Sequence, residues 1–133
     1  MKVEGRCHCG AIVFQAEVDP DLAAICHCTD CQRFSGAPFR TGVPAKAENF
    51  HLTRGRPKIY VKTADSGAKR AQSFCENCGT AIYASAVDNP TVYVLRLSAL
   101  DQRTEIAPRR QIWCSSALPW AYDIKELPAS PKQ

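Results

Sequence analysis

Apolar and β-branched residues occur in short runs along the chain, and turn-forming residues separate these runs. The clearest run is residues 91–97, where Val, Leu and Tyr predominate, a composition typical of a strand. No stretch of 11 or more residues keeps the spacing of an amphipathic helix. The pattern therefore predicts a mainly β protein built from short strands.

The other elements are predicted from shorter runs of the same kind. Strands are expected at residues 3–6, 11–18, 22–25, 39–43, 58–61, 72–74, 81–84 and 112–114. One helical turn is predicted at residues 30–34, because Ser35, Gly36 and Pro38 follow it. Repeated prolines in the C-terminal segment predict a loop over the body of the protein, with looser order from about residue 125.

Length and charge limit the class of protein. The 133 residues predict one domain over residues 1–133. No apolar run reaches the roughly 18 residues of a membrane span, and residues 1–6 lack the features of a signal peptide. We therefore expect a cytoplasmic protein with no membrane partner. The net charge of +4 comes from scattered basic residues, which favours anionic small molecules as partners over nucleic acid.

The cysteines are the strongest chemical signal, since eight of them occur in three tight clusters and one isolated position. The clusters are Cys7-His8-Cys9, Cys26-His27-Cys28-Thr29-Asp30-Cys31 and Cys75-Glu76-Asn77-Cys78, with Cys114 alone. Such close spacing suits chelation better than disulfide bonding, and a cytoplasmic chain would keep its thiols reduced. The pattern therefore predicts metal binding.

The first and third clusters have the form of metal-binding knuckles, each followed by glycine, Gly10 or Gly79. In a knuckle the chain wraps the metal, backbone N–H groups point at the sulfurs, and glycine permits the turn. Together the two knuckles supply four thiolates, the usual set for a structural zinc. This zinc would connect the N-terminal hairpin to the middle of the chain and contribute its binding energy to folding.

The middle cluster differs, because it has three cysteines within six residues and no fourth cysteine nearby in sequence. Three protein ligands and a free position are typical of a catalytic zinc. Three thiolates make the metal electron-rich, which suits a soft sulfur ligand better than the generation of hydroxide. The expected fourth ligand is therefore a substrate thiol, bound as thiolate.

In the order and spacing of its cysteines, the chain resembles the glutathione-dependent formaldehyde-activating enzyme family, whose superfamily includes centromere protein V. The matching motifs are Gly5-x-Cys7-x-Cys9-Gly10, Cys26-His27-Cys28-x-x-Cys31, Phe74-Cys75-x-x-Cys78-Gly79-Thr80, Trp113-x-Ser115 and Leu118-Pro119-Trp120. The resemblance implies a β-tent fold of small antiparallel sheets around a structural zinc. It implies structural ligation by Cys7, Cys9, Cys75 and Cys78 and catalytic ligation by Cys26, Cys28 and Cys31. The chemistry implied is the condensation of formaldehyde with glutathione to S-hydroxymethylglutathione, or its reverse.

Several other residues have two interpretations. His27 and His8 are expected to point away from the metals, although a histidine between ligands could also bind zinc or carry a proton. Cys114 is expected to be a small buried residue, but as a ligand it would close the second site. His51 is expected to be solvated. Further open cases are core or pocket positions for Phe34, Phe39 and Trp120, and solvated or glutathione-binding roles for Arg33 and Arg40.

Two functions from different classes follow. The first is a zinc-dependent carbon–sulfur lyase or synthase acting on an adduct of an aldehyde with glutathione or another thiol. The second is a noncatalytic zinc-binding scaffold or interaction module. An open zinc site is needed for chemistry and unnecessary for a scaffold, which favours the enzyme. A rubredoxin-like iron site would leave the middle cluster unexplained.

Overall fold

The computed structural model describes residues 1–133, which form ten β-strands and one α-helix. The strands are β1 (Lys2–Arg6), β2 (Val13–Glu17), β3 (Ala24–Cys26), β4 (Arg40–Lys46), β5 (Phe50–Arg54), β6 (Lys58–Thr63), β7 (Lys69–Phe74), β8 (Ala81–Ala86), β9 (Val92–Arg96) and β10 (Arg110–Ile112). The helix, α1 (Thr29–Ser35), lies between β3 and β4. It ends at Gly36, whose left-handed φ of 62° is readily adopted by glycine.

The three-stranded sheet has the order β1-β2-β5 and is antiparallel throughout. In β1 and β2, exposed and buried residues alternate, as expected where one face of a sheet covers the core. Gly5 lies against the ring of fully buried Phe14, and a Cβ built on it would approach Phe14 Cζ to 2.2 Å. The sequence therefore needs glycine here for contact rather than for a turn.

The seven-stranded sheet has the order β10-β3-β4-β9-β8-β7-β6. Its pairs are antiparallel except β10 with β3, which run parallel. The core lies between the two sheets, where Phe50 of β5 packs on Tyr83 and Tyr93 with ring centroids 5.3 and 4.7 Å apart. These contacts hold the two sheets together on one side.

A second, polar face of the seven-stranded sheet lies opposite the core. Side chains of cross-strand partners share a face, and so do residues two apart on one strand. The pairing registers therefore place four polar or thiol side chains on the face turned away from Val43 and Leu95. They are Cys26, Arg40, Gln72 and Arg96.

The mainly β prediction is confirmed, and so is the helical turn beside the second cysteine cluster. Strand β5 was missed, because its sequence FHLTR is polar and four of its five residues are exposed. The last strand is two residues earlier than predicted and pairs in parallel, so the expectation of purely antiparallel sheets is wrong at that edge. No helix in the structure has the length and apolar character to span a membrane.

The C-terminal segment follows β10 as short 3₁₀ turns, including Pro119–Tyr122 and Ile124–Glu126, and then lacks regular structure. This agrees with the predicted loop-like segment. The single domain over residues 1–133 and the looser order from about residue 125 stay predictions.

Candidate active site

Four cysteines from two distant turns meet at one point. Their Sγ atoms all lie within 4.8 Å of one another. The members of this four-cysteine cluster are Cys7, Cys9, Cys75 and Cys78. Cys9 Sγ is 3.6 Å from Cys7 Sγ and 3.8 Å from Cys75 Sγ. A tetrahedral zinc with Zn–S bonds of about 2.3 Å requires sulfurs about 3.8 Å apart. The donor set therefore fits one zinc ion, and these separations are too long for disulfide bonds.

Local backbone geometry prepares these sulfurs to carry negative charge. The Ile12 N–H donates to Cys7 Sγ at 3.2 Å, and the Thr80 hydroxyl lies 3.2 Å from Cys78 Sγ. Hydrogen bonds from the Thr80 hydroxyl and backbone, together with the Cys9 backbone, lower the pKa of the Cys78 thiol to about 5. Gly10 and Gly79 have φ angles of 77° and 78°. The predicted role of both glycines in the knuckle turns is thus confirmed.

The four-cysteine cluster connects the two sheets. One knuckle is the turn between β1 and β2 of the three-stranded sheet, and the other joins β7 and β8 of the seven-stranded sheet. The His8 N–H donates to Thr80 Oγ1 at 3.0 Å and adds a direct bond between the knuckles. All eight cysteines are free thiols, so no disulfide joins the two sheets. A metal bound at this cluster would therefore be the cross-link between them.

A second group, the three-cysteine cluster, is formed by Cys26, Cys28 and Cys31. Its Sγ atoms also lie within 4.8 Å of one another. Cys26 ends β3, while Cys28 and Cys31 begin α1. Cys28 is the N-cap of the helix, and its Sγ accepts a hydrogen bond from the Cys31 N–H at 3.3 Å. The cap therefore fixes the Cys28 sulfur against the backbone of Cys31.

Hydrogen bonds and charges around this cluster favour a thiolate at Cys31. The hydrogen bond from Cys26 lowers the pKa of the Cys31 thiol to about 5, burial opposes this shift, and the Arg40 and Arg96 charges support it. The reciprocal hydrogen bond with Cys31 and burial raise the pKa of the Cys26 thiol. The cluster thus keeps an anionic sulfur beside two cationic side chains, and its three soft donors fit a zinc ion with a free position.

A cavity of about 720 Å³ is lined by residues next to the three-cysteine cluster and not by the three cysteines themselves. Asp30 follows Cys28 in the helix and Arg40 pairs with Cys26 across the sheet, and both line the cavity. Its other charged residues are Arg33 and Lys62. Because Lys62 Nζ lies 2.6 Å from Asp30 Oδ2, the carboxylate is already compensated and the cavity is cationic.

Aromatic side chains form the outer part of the cavity. Phe34 and Tyr60 both line it, with ring centroids 6.0 Å apart. The Arg40 guanidinium lies over the Phe34 ring at 5.2 Å, a favourable cation–π distance. Of the open cases, Phe34 is thus a pocket residue, and Trp120 is 55% exposed and does not belong to the core. Phe39 is half-buried and packs on His27.

The structure also shows where the three histidines and the eighth cysteine lie relative to the two clusters. His27 is buried, and its Nε2 donates to Gln111 Oε1 at 2.7 Å rather than facing the sulfurs; His8 and His51 are exposed. Cys114 belongs to neither cluster. It is also exposed, which corrects the expectation that it is buried. The reason is local, since Trp113 adopts a left-handed φ of 58° and turns the chain out of β10.

Arg96 and Gln72 were missed by the sequence interpretation. Arg96 ends the most apolar strand, and Gln72 lies in an alternating strand far from any cysteine. Of the two arginines that the sequence suggested as solvated or glutathione-binding residues, Arg33 is exposed and Arg40 is buried. For Arg96, the sequence does contain one signal, a charged residue within an apolar run that is expected to be buried. Gln72 has no such signal.

The fold and the two clusters define a small mainly β protein with two cysteine centres suited to metal. The family model described as "Glutathione-dependent formaldehyde-activating enzyme" matches residues 2–116, and the chain belongs to this family. An uncharacterized lyase of Schizosaccharomyces pombe is 29% identical over 96 residues, and the match covers 69% of this chain and 64% of that protein. The chain thus spans less than two thirds of the length of this curated relative.

A solved structure supports the fold. The crystal structure of a Rhodobacter sphaeroides protein, a structural-genomics target, matches with a TM-score of 0.63. The sequences are 20% identical, and the match covers 81% of this chain and 98% of that chain. At this identity the likeness shows the shared fold alone.

The two clusters predict two zinc ions per chain, held with unequal strength. Mild chelation should remove about one zinc and leave the circular dichroism spectrum unchanged, because the three-ligand site is weaker and connects no distant elements. Metal analysis before and after chelation measures this. A protein that never holds more than one metal in excess zinc would contradict the assignment.

Proposed function

We propose that the protein is a zinc-dependent carbon–sulfur lyase or synthase that forms or cleaves the adduct of an aldehyde with glutathione or a similar thiol. The observation that carries the proposal is a three-cysteine cluster without a fourth protein ligand, beside a cationic cavity of about 720 Å³. Cavities of this size are typical of small-molecule sites, and a scaffold needs neither feature. The family and the lyase name of the yeast relative agree with it.

The proposed sites divide by role. Cys7, Cys9, Cys75 and Cys78 would hold the structural zinc, and Cys26, Cys28 and Cys31 the catalytic one. Zinc bound at the three-cysteine cluster would supply the positive charge that keeps a substrate thiol deprotonated near neutral pH. The β-tent description of the fold and a cytoplasmic location belong to the same proposal.

The chain's own residues bind and orient the substrate. Arg33 is exposed at the cavity, and no carboxylate of the protein pairs with it. It would pair with a carboxylate of glutathione, since guanidinium and carboxylate groups form strong bidentate contacts. Phe34 and Tyr60 would cover the substrate and exclude water from the reacting atoms.

The reaction is balanced without a further reactant. The substrate sulfur forms a bond to the carbonyl carbon, and the π electrons of the carbonyl move to its oxygen. The proton that the thiol lost ends on this oxygen and gives a hydroxyalkyl thioether. Cleavage reverses each of these changes.

Glutathione binding tests the proposal. The zinc-loaded protein should bind glutathione with an affinity that rises about tenfold per pH unit below the thiol pKa of about 8.5, because the thiolate is the form bound. Isothermal titration calorimetry between pH 6 and 8 measures this. S-methylglutathione is the matched control, since it has the same carboxylates and no ionisable thiol.

Two results would count against the enzyme. Equal binding of glutathione and S-methylglutathione at all pH values would show that the thiol does not reach the metal. Glutathione binding without faster exchange between ¹³C-formaldehyde and its glutathione adduct than in the protein-free reaction, followed by NMR, would remove the lyase activity and leave a zinc-binding module.

A further inference from the structure

Arg40 and Arg96 form a buried pair on the polar face of the seven-stranded sheet. They are 9% and 6% exposed, and neither has a carboxylate partner. Both instead donate to one oxygen, Gln72 Oε1, from Nη2 atoms at 2.9 and 3.2 Å. Buried charges usually have ionic partners. Here the Cys31 sulfur acts on both arginines, and no carboxylate pairs with either of them, which leaves donors for a substrate anion.

Each arginine also retains an unused donor. The Nε atoms of Arg40 and Arg96 are buried and have no hydrogen-bond partner. An unsatisfied buried N–H is costly and uncommon in folded proteins. Burial and the neighbouring Arg40 charge lower the pKa of Arg96 to about 9, and the Cys31 and Cys26 sulfurs act in the opposite direction.

The pair lies where the proposed reaction would occur. Arg40 is the cross-strand partner of Cys26, and its charge acts on Cys31. Arg40 and Gln72 line the cavity, whereas Arg96 lies behind them without reaching it.

We propose that Arg40, held by Gln72 and supported by the charge of Arg96, is a catalytic residue that donates to the carbonyl oxygen of the substrate as it becomes an oxyanion. This deepens the proposed function and rests on it. When sulfur adds to the carbonyl carbon, two electrons move to the oxygen, and that oxygen carries negative charge until the proton arrives. A donor fixed in a dry site stabilises such charge without reorganisation.

This role is distinct from substrate binding at the cavity mouth. Arg33 is exposed and free to meet a carboxylate, whereas Arg40 is buried under the Phe34 ring. A small oxygen on the reacting carbon reaches such a position more readily than a hydrated carboxylate at the end of a peptide.

The decisive experiment compares kcat with glutathione affinity in two variants. Arg40→Lys keeps the charge and loses the guanidinium donors, and we expect kcat to fall by about 100-fold, as for the loss of an oxyanion donor in other enzymes. The Kd for glutathione should stay within threefold of wild type. Arg33→Gln should weaken glutathione binding, because Arg33 is proposed to bind a substrate carboxylate. Arg54→Lys, on the exposed strand β5, is the matched control and should leave both quantities unchanged.

Formate provides a readout without turnover. The Arg40 Nε–H signal in a ¹H–¹⁵N spectrum of the zinc-loaded protein, assigned through its side-chain couplings in the wild type, should shift saturably with sodium formate and not with sodium chloride. Gln72→Met, which releases the guanidinium groups, should weaken this response by about tenfold while the protein still melts cooperatively. The Gln72→Met measurement remains informative if Arg40→Lys fails to fold.

The outcomes separate the two proposals. An active wild type with unchanged kcat in Arg40→Lys overturns the oxyanion role, and so does a loss confined to glutathione affinity, which would make Arg40 a carboxylate-binding residue. Absence of a formate response in the wild type also overturns it. A wild type that binds glutathione and does not accelerate adduct formation or cleavage overturns the lyase function and the catalytic role of Arg40 with it.

Discussion

Cys75→Ser should give insoluble or largely unfolded protein. Cys75 is 2% exposed and belongs to the knuckle of the seven-stranded sheet, while Cys7, 1% exposed, belongs to the three-stranded sheet. Zinc between them would contribute its binding energy to folding, about 10–16 kcal/mol in small zinc domains. A domain of this size has only about 5–15 kcal/mol of total stability. A serine hydroxyl is a poor replacement for a thiolate, so most of this contribution should be lost.

Circular dichroism, thermal melting and metal analysis measure the effect. Cys114→Ser is the matched control, because Cys114 is an exposed thiol outside both clusters. It should melt close to the wild type and keep both zinc ions. A soluble Cys75→Ser protein with a near-native melting temperature would show that the four-cysteine cluster does not stabilise the fold.

The cysteine centres could be predicted from the sequence because their chemistry is local. A knuckle needs two cysteines a few residues apart and a glycine after them, and these features stand in consecutive letters. Gly10 and Gly79 accordingly have the expected positive φ. The union of the two knuckles was also predictable, since a tetrahedral metal needs four ligands and each knuckle supplies two.

The cavity and the buried polar residues Gln72 and Arg96 could not be predicted from the sequence in the same way. Gln72 and Arg96 meet because β9, β8 and β7 lie side by side in the seven-stranded sheet. That order joins residues 24 positions apart through a single hydrogen bond. Neither residue belongs to a motif, so only the register of the strands shows that both lie on the same face of the sheet. The prediction that Cys114 is buried was wrong for a related reason, since its exposure depends on the left-handed turn at Trp113.

Cys28→Ser should give a folded protein with no thiol–aldehyde chemistry. Cys28 caps α1 through a hydrogen bond from the Cys31 N–H, and serine is among the best N-cap residues. The substitution therefore preserves the helix and removes one of three metal ligands. Since these ligands are neighbours in sequence, loss of the metal releases no long loop. We expect near-native melting, about one zinc per chain, and a loss of activity larger than the roughly 10- to 100-fold caused by changes to a hydrogen bond around a metal ligand.

Cys28→Ala separates the two roles of this sulfur. Alanine removes the cap as well as the ligand, so it should be less stable than Cys28→Ser by about 0.5–2 kcal/mol, with the same loss of zinc and activity. Urea denaturation of both variants, with zinc content and adduct formation measured on the same samples, provides the comparison. If Cys28→Ser unfolds as completely as Cys75→Ser, the three-cysteine cluster is structural and the division of roles is wrong. If it keeps two zinc ions and full activity, the metal at the open site does not depend on this cluster.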